Sequence, residues 1–309
     1  MFEAFEFGPF LFWTHLIFLL IAIWLSSEFF FRLAQSAGLS LQPFADRPWW
    51  YLLGAVLGGR LFAVVEQYRV YLRPDDPLRV FFLHDGNFSF LGMAVGIAVV
   101  LYLFRQSSRT TFLQWLDVLL PATTFGLSFD WLGKFAAGQA YGGPTDAFWG
   151  VTYDAMNVRF AVPIHPVQLY YALFYFFLTF LLLIVRKRAR RAGAETLAGI
   201  ALASAVTFGL EWFRGDFGIP VFATKLDLLL LLLLFVSLGV FAVIELTLPQ
   251  RIVIAYEALT TVLCAGYLLL RSWLPLDTFE LRFSQLLSLL ALLATVVYVV
   301  VHRRRHPHL

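Results

Sequence analysis

The residues able to do chemistry in this sequence interrupt stretches that are otherwise apolar. Arg60 follows Gly58 and Gly59 in the middle of one such stretch, and Asp117 stands inside another. Asp130 and Lys134 are four apart and share a helical face if the helix continues through them; Glu211 and Arg214 are three apart. A charge at bilayer depth costs about 2.5–3.5 kcal/mol or more, so it faces a partner or a water-filled cavity. Arg60, Lys134 and Arg214 at one depth would suit an anionic group held at the headgroup level, and phosphate is the anion a membrane supplies. Mutual neutralisation is the competing reading for Asp130 with Lys134 and for Glu211 with Arg214. His165 precedes Pro166 at a helix start, where it either caps the helix or acts as a base or phosphate donor near neutral pH. Asp85, Gly138 and Tyr141 lie in glycine- and aromatic-rich loops. Such loops let backbone approach a ligand closely, or form an ordinary interfacial belt. No nucleophile-elbow motif supports a serine hydrolase.

These side chains must be positioned by elements that live in lipid. Apolar residues make up 60% of the 309 and charged residues 14%, against roughly 45–50% and 25% in soluble domains. Mean hydropathy is +0.77. Disorder, collagen, coiled coil and disulfide scaffolds are excluded. The single cysteine, Cys264, rules out an intrachain disulfide and a cysteine-based zinc site; no metal or cofactor is expected. A net charge of +3 is too small to suggest nucleic acid.

About nine segments reach spanning length: Phe10–Phe31, Trp49–Tyr68, Phe90–Phe104, Phe112–Phe129, Pro166–Val185, Leu197–Phe213, Leu226–Leu248, Ile252–Leu270 and Phe283–Val301. The fold class is therefore an all-α polytopic membrane protein. The first span lacks a basic start and a small-residue cleavage site, so it is expected to stay in the protein. Basic residues cluster at Arg186, Lys187, Arg188, Arg190 and Arg191 and again at Arg303–Arg305. With nine spans these fall on one side, which places the N-terminus outside and the C-terminus in the cytoplasm. Arg69, Arg73 and Arg79 land on the opposite side. On this topology Lys134, His165, Glu211 and Arg214 lie near the outer face.

The order of motifs carries a resemblance. Leu57-Gly58-Gly59-Arg60 is followed by Asp85-Gly86-Asn87-Phe88-Ser89-Phe90-Leu91-Gly92, then by Leu132-Gly133-Lys134-Phe135-Ala136-Ala137-Gly138. His165-Pro166-Val167-Gln168-Leu169-Tyr170 and Glu211-Trp212-Phe213-Arg214 complete the series. Over about residues 8–248 this resembles the bacterial prolipoprotein diacylglyceryl transferases, HPxQLY before a transmembrane helix being the most specific piece. The resemblance implies a core of about seven helices over residues 1–248, with residues 249–309 an appended hairpin and basic tail. It implies a bacterial plasma-membrane enzyme that moves diacylglyceryl from phosphatidylglycerol to the lipobox cysteine thiol of a preprolipoprotein, releasing glycerol phosphate. No metal is required.

Arg60, His165, Gln168, Tyr170, Glu211 and Arg214 match the family pattern residue by residue. With Lys134 they make up the expected site: His165, Lys134 and Arg214 catalytic; Arg60, Gln168, Tyr170, Glu211, Gly138, Tyr141 and Asp85 substrate-binding. The signature GRLGNFxNGE aligns with Asp130-Trp131-Leu132-Gly133-Lys134-Phe135-Ala136-Ala137-Gly138-Gln139, so its arginine falls on Trp131 and its first asparagine on Lys134. Further family positions are occupied by Thr14, Leu91, Tyr171 and Thr207. A lysine restores a positive charge without the bidentate grip of a guanidinium. The alternatives to a transferase are an inactive homologue that binds anionic phospholipid or a membrane partner, and a transporter.

Overall fold

A computed structural model describes residues 4–7, 10–66, 71, 80, 87–104, 109–153, 158–188, 191–216, 220–224, 235–241, 250–270 and 279–303. The contact pattern divides the chain into two compact units, Met1–Thr196 and Leu197–Leu309.

The first unit is built from helices α1 (Thr14–Ser36), a short α2 (Gln42–Asp46), α3 (Pro48–Glu66), α4 (Phe90–Leu103), α5 (Arg109–Ala136) and α6 (Val167–Arg188). The expected start of the first span is corrected. Phe10–Trp13 is a strand, β2, paired antiparallel with β1 (Ala4–Phe7), and the helix begins at Thr14. Alternation of apolar and acidic residues in Phe5-Glu6-Phe7 fits a strand better than a helix. Helix α5 is longer than the sequence suggests, 28 residues with Pro121 inside it, or roughly 42 Å at 1.5 Å per residue. Asp130 and Lys134 therefore share one continuous helix.

Neighbouring helices pack antiparallel. Between α1 and α5, His15 meets Asp130 and Phe30 stacks on Trp115 at 5.8 Å. Between α5 and α6, Thr124 bonds Thr179 at 2.9 Å and Trp131 stacks on Tyr171. Helices α3 and α4 cross on glycine. A Cβ on Gly58 would lie 2.3 Å from the Gly92 carbonyl oxygen, and one on Gly96 1.9 Å from that of Gly54. Both pairs have small-xxx-small spacing, which lets backbones touch where lipid provides no hydrophobic drive between helices. The antiparallel order gathers the starts of α1, α4 and α6 and the ends of α3 and α5 at one end of this unit. A mainly apolar cavity of about 290 Å³, lined by Phe30, Phe44, Tyr51, Met93, Leu119 and Thr123 among others, lies between the first five helices.

Asp117 is explained within this unit. Its carboxylate accepts from the Gly193 amide (2.6 Å), the Thr196 amide (2.9 Å) and the Thr196 hydroxyl (2.7 Å). It thus caps the start of α7 (Ala194–Leu210), the role an N-cap acid fills.

The second unit holds the rest of α7 and a 3-10 turn, Glu211–Phe213. It also holds α8 (235–241), α9 (Gln250–Leu270), α10 (Phe283–Tyr298) and the antiparallel strands β3 (Pro220–Thr224) and β4 (Phe279–Arg282). Most of the expected span Leu226–Leu248 lies outside the described residues. Residues 249–309 fall within the second unit, which begins at Leu197. Gln285 Nε2 donates to the Phe208 carbonyl at 3.1 Å, and Arg282 bonds Asp216.

The architecture is helical and membrane-spanning, with two short two-stranded ladders among the described residues. Five described helices are long and apolar enough to cross a membrane: Thr14–Ser36, Pro48–Glu66, Val167–Arg188, Ala194–Phe213 and Ser284–Val301.

Candidate active site

At the end of the first unit where α6 begins, the His165–Tyr170 segment is held by its neighbours. His165 Nδ1 lies 3.2 Å from the Tyr170 hydroxyl, and Trp149 Nε1 donates to that hydroxyl at 2.6 Å. The His165 amide donates to the Gly143 carbonyl at 2.9 Å. A Cβ on Gly142 would lie 2.1 Å from the His165 carbonyl oxygen, so only glycine lets the loop close this tightly. Gln168 is fully buried and donates from Nε2 to the Gln139 carbonyl at 2.7 Å, which ties the start of α6 to the turn after α5. The Gln168 side chain also faces the buried Tyr153 phenol. Among the described residues neither that hydroxyl nor Gln168 Oε1 makes a well-formed hydrogen bond. Burial pushes the Tyr153 phenol well above its usual value, the Gln168 side chain opposing the shift.

Gly138 and Tyr141 serve the loop. Gly138, at φ 67°, ends α5 in the left-handed conformation that favours glycine. Tyr141 is buried with Tyr153 and Ile164, and its hydroxyl accepts from the Arg159 amide at 3.2 Å. Asp85 lies outside the described residues.

Arg60 is buried near the end of α3. Its Nε donates to the Val80 carbonyl at 2.8 Å and its Nη1 to the Asn87 carbonyl at 3.0 Å. The guanidinium carbon stands 4.6 Å above the Tyr71 ring. These carbonyl acceptors and the π-face favour the guanidinium and fix its orientation.

Lys134 has a counter-ion. Its Nζ lies 3.2 Å from Asp130 Oδ2 and 4.5 Å over the Trp131 ring, which in turn stacks on Tyr171 with centroids 4.0 Å apart. The other oxygen of Asp130 meets His15 Nε2 at 2.9 Å. Asp130 is 1% exposed and His15 6%. Of the two readings open for Lys134, the structure shows the pairing with Asp130. His15 is the residue that sequence reasoning missed; its signal was a histidine at the head of the first apolar span.

Glu211 and Arg214 belong to the second unit. Arg214 Nη1 donates to Glu211 Oε1 at 2.9 Å, and its Nε and Nη2 grip both oxygens of Asp216. Arg282 Nη1 adds a third contact to Asp216 at 3.1 Å. Burial raises the Asp216 carboxyl, but the two guanidiniums outweigh it and hold the group below the usual carboxylate range. Arg214 is thus compensated by carboxylates in its own unit, and it needs no ligand as a counter-charge.

A family model described as prolipoprotein diacylglyceryl transferase matches residues 3–301. The chain belongs to that family. Relatives named phosphatidylglycerol–prolipoprotein diacylglyceryl transferase agree. The protein from Idiomarina loihiensis is 30% identical over 178 residues, 57% of this chain and 65% of that protein. The one from Pseudoalteromonas atlantica is 31% identical over 216 residues, 68% and 74%. The one from Polynucleobacter necessarius is 34% identical over 140 residues, 44% and 50%. The matched stretches thus span half to three quarters of those relatives. The family match also runs past residue 248, which agrees with the placement of residues 279–303 in a unit that begins at Leu197. At the positions where the sequence reading sets the signature's glycine, arginine and asparagine, this chain carries Asp130, Trp131 and Lys134. The lysine arrives with its own carboxylate one helical turn away.

Proposed function

We propose that this protein transfers the diacylglyceryl group of phosphatidylglycerol to the cysteine thiol of a prolipoprotein, in the plasma membrane of a bacterium. The observation that carries the reading is the family match, joined to the HPxQLY assembly of half-buried His165 and Tyr170 with buried Gln168 at one end of the first unit. In this reading Arg60 contributes positive charge to the lipid phosphate, with carbonyls and Tyr71 fixing its orientation. The apolar cavity between the first five helices is suited to an acyl chain. Lys134, held by Asp130, shapes the field around the phosphate rather than gripping it. Expression in bacteria depleted of their own transferase tests the reading through lipidation of a reporter lipoprotein. Restored lipidation and growth are expected. No lipidation, from protein shown to be folded in the membrane, would leave an anionic-lipid-binding homologue.

We also propose nine spans, with the N-terminus outside and the C-terminus in the cytoplasm. The support is the one-sided placement of Arg186–Arg191 and Arg303–Arg305. Reporter fusions at residue 190 and at the C-terminus are both expected to read cytoplasmic, and a split result would reject this topology.

A further inference from the structure

His15, Asp130 and Lys134 form a buried polar line, and His15 belongs to none of the motifs that carry the resemblance. Asp130 stands behind the imidazole, its Oδ1 2.9 Å from Nε2, and its Oδ2 takes the Lys134 ammonium at 3.2 Å. The side chains of His15 and Asp130 are 7% and 2% exposed. An ionised carboxylate only accepts hydrogen bonds, so Nε2 carries the proton and Nδ1 keeps its lone pair. Among the described residues, Nδ1 has no hydrogen-bond partner. A carboxylate behind an imidazole fixes its tautomer and stabilises the imidazolium that forms when the ring takes a proton. Lys134 favours the ionised form of Asp130, so the carboxylate remains available for that role.

Placement agrees with this chemistry. His15 is in the first turn of α1 and Lys134 in the last turn of α5, at the end of the unit where α6 also begins. Trp131 and Tyr171, stacked, link the line to the helix that carries Gln168 and Tyr170. Close packing locks the ring: a Cβ on Gly133 would lie 2.5 Å from the Phe18 Cβ and 3.4 Å from His15 Cδ2. Among the described residues the charged groups facing the imidazole are Asp130, directly, and Lys134, through that carboxylate.

We infer that His15 is the proton acceptor for the attacking thiol, with Asp130 as its orienting carboxylate; this rests on the transferase reading. The S–H proton passes to Nδ1. The thiolate forms a C–S bond at the glycerol carbon that bears the phosphate, and the C–O bond to that phosphate breaks. The electron pair leaves on glycerol phosphate, and the proton passes from His15 to that product or to solvent.

The test uses the full-length protein in phosphatidylglycerol proteoliposomes with a lipobox cysteine peptide, and thioether product is measured from pH 6.5 to 9.5. His15→Gln is expected to lower the rate about 100-fold near pH 7. Phosphatidylglycerol binding and thermal stability should stay at wild-type values. The deficit should shrink as pH rises through about 8.5, where the thiol ionises unaided. His15→Ala, which leaves space for a replacement base, should regain activity with added imidazole. A wild-type rate in His15→Gln, or a deficit flat across the pH range with no imidazole rescue, overturns the assignment while leaving the transferase reading intact. A wild-type protein that forms no product overturns that reading and the assignment with it.

Discussion

Asp130→Ala is expected to destabilise the protein by about 3–5 kcal/mol, the cost of removing one partner from a buried ion pair. The carboxylate is the shared acceptor of two side chains: His15 loses its partner at 2.9 Å and Lys134 its counter-ion at 3.2 Å in one change. Lys134→Met should cost much less. It leaves Asp130 bonded to His15, and the lysine side chain is 18% exposed, so its charge is the least desolvated of the three. The double variant Asp130→Ala with Lys134→Met should recover part of the loss, because no unpaired ammonium then remains. Thermal unfolding in detergent measures all three. A loss of only about 1 kcal/mol for Asp130→Ala, typical of an average substitution, would show that water reaches and solvates this cluster.

Gly96→Val is expected to break the packing of α3 on α4. The added Cβ would lie 1.9 Å from the Gly54 carbonyl oxygen. That atom is helix backbone and cannot move aside alone, so the helices must separate along their contact. Overpacking by a few methylenes ordinarily costs about 1–3 kcal/mol, and a backbone-to-backbone clash belongs at or above the top of that range. Separation also loosens Arg60, which lies on α3 two residues past Gly58 and bonds the Asn87 carbonyl just before α4. Gly209→Ala is the control: nothing lies within 4 Å of its Cβ position, and alanine is favoured over glycine in a helix by about 1 kcal/mol. Membrane-fraction yield and protease resistance should fall for the first and hold for the second. Equal behaviour would mean that the glycine crossing does not set the helix spacing.

Much of this molecule was legible in the sequence because lipid constrains sequence severely. A helix must hide its own backbone polar groups, so long apolar runs mark α1, α3, α6, α7 and α10, with ends within a few residues of those observed. The exceptions follow from local pattern. Phe10–Trp13 is apolar enough for a span but pairs as a strand with Ala4–Phe7, a choice made by a partner segment and invisible to hydropathy. The HPxQLY string correctly marked a helix start with buried Gln168.

Only the local charge pairs were within reach of the sequence. Spacing of four and of three joined Lys134 to Asp130 and Arg214 to Glu211, because helix geometry is local. His15 lies 115 residues from Asp130 and Arg282 lies 66 from Asp216, and no periodicity relates positions on different elements. Asp117, a charge inside an apolar run, reads from sequence as a functional candidate. The fold makes it a cap by bringing Gly193 and Thr196 to it. The sequence by itself determined that the chain is a helical membrane protein of this family, because the bilayer dictates helix length and apolarity one segment at a time. Only the tertiary structure decided that a histidine joins the carboxylate and the lysine in one buried line, because His15 and Asp130 stand on different helices and meet only where those helices pack.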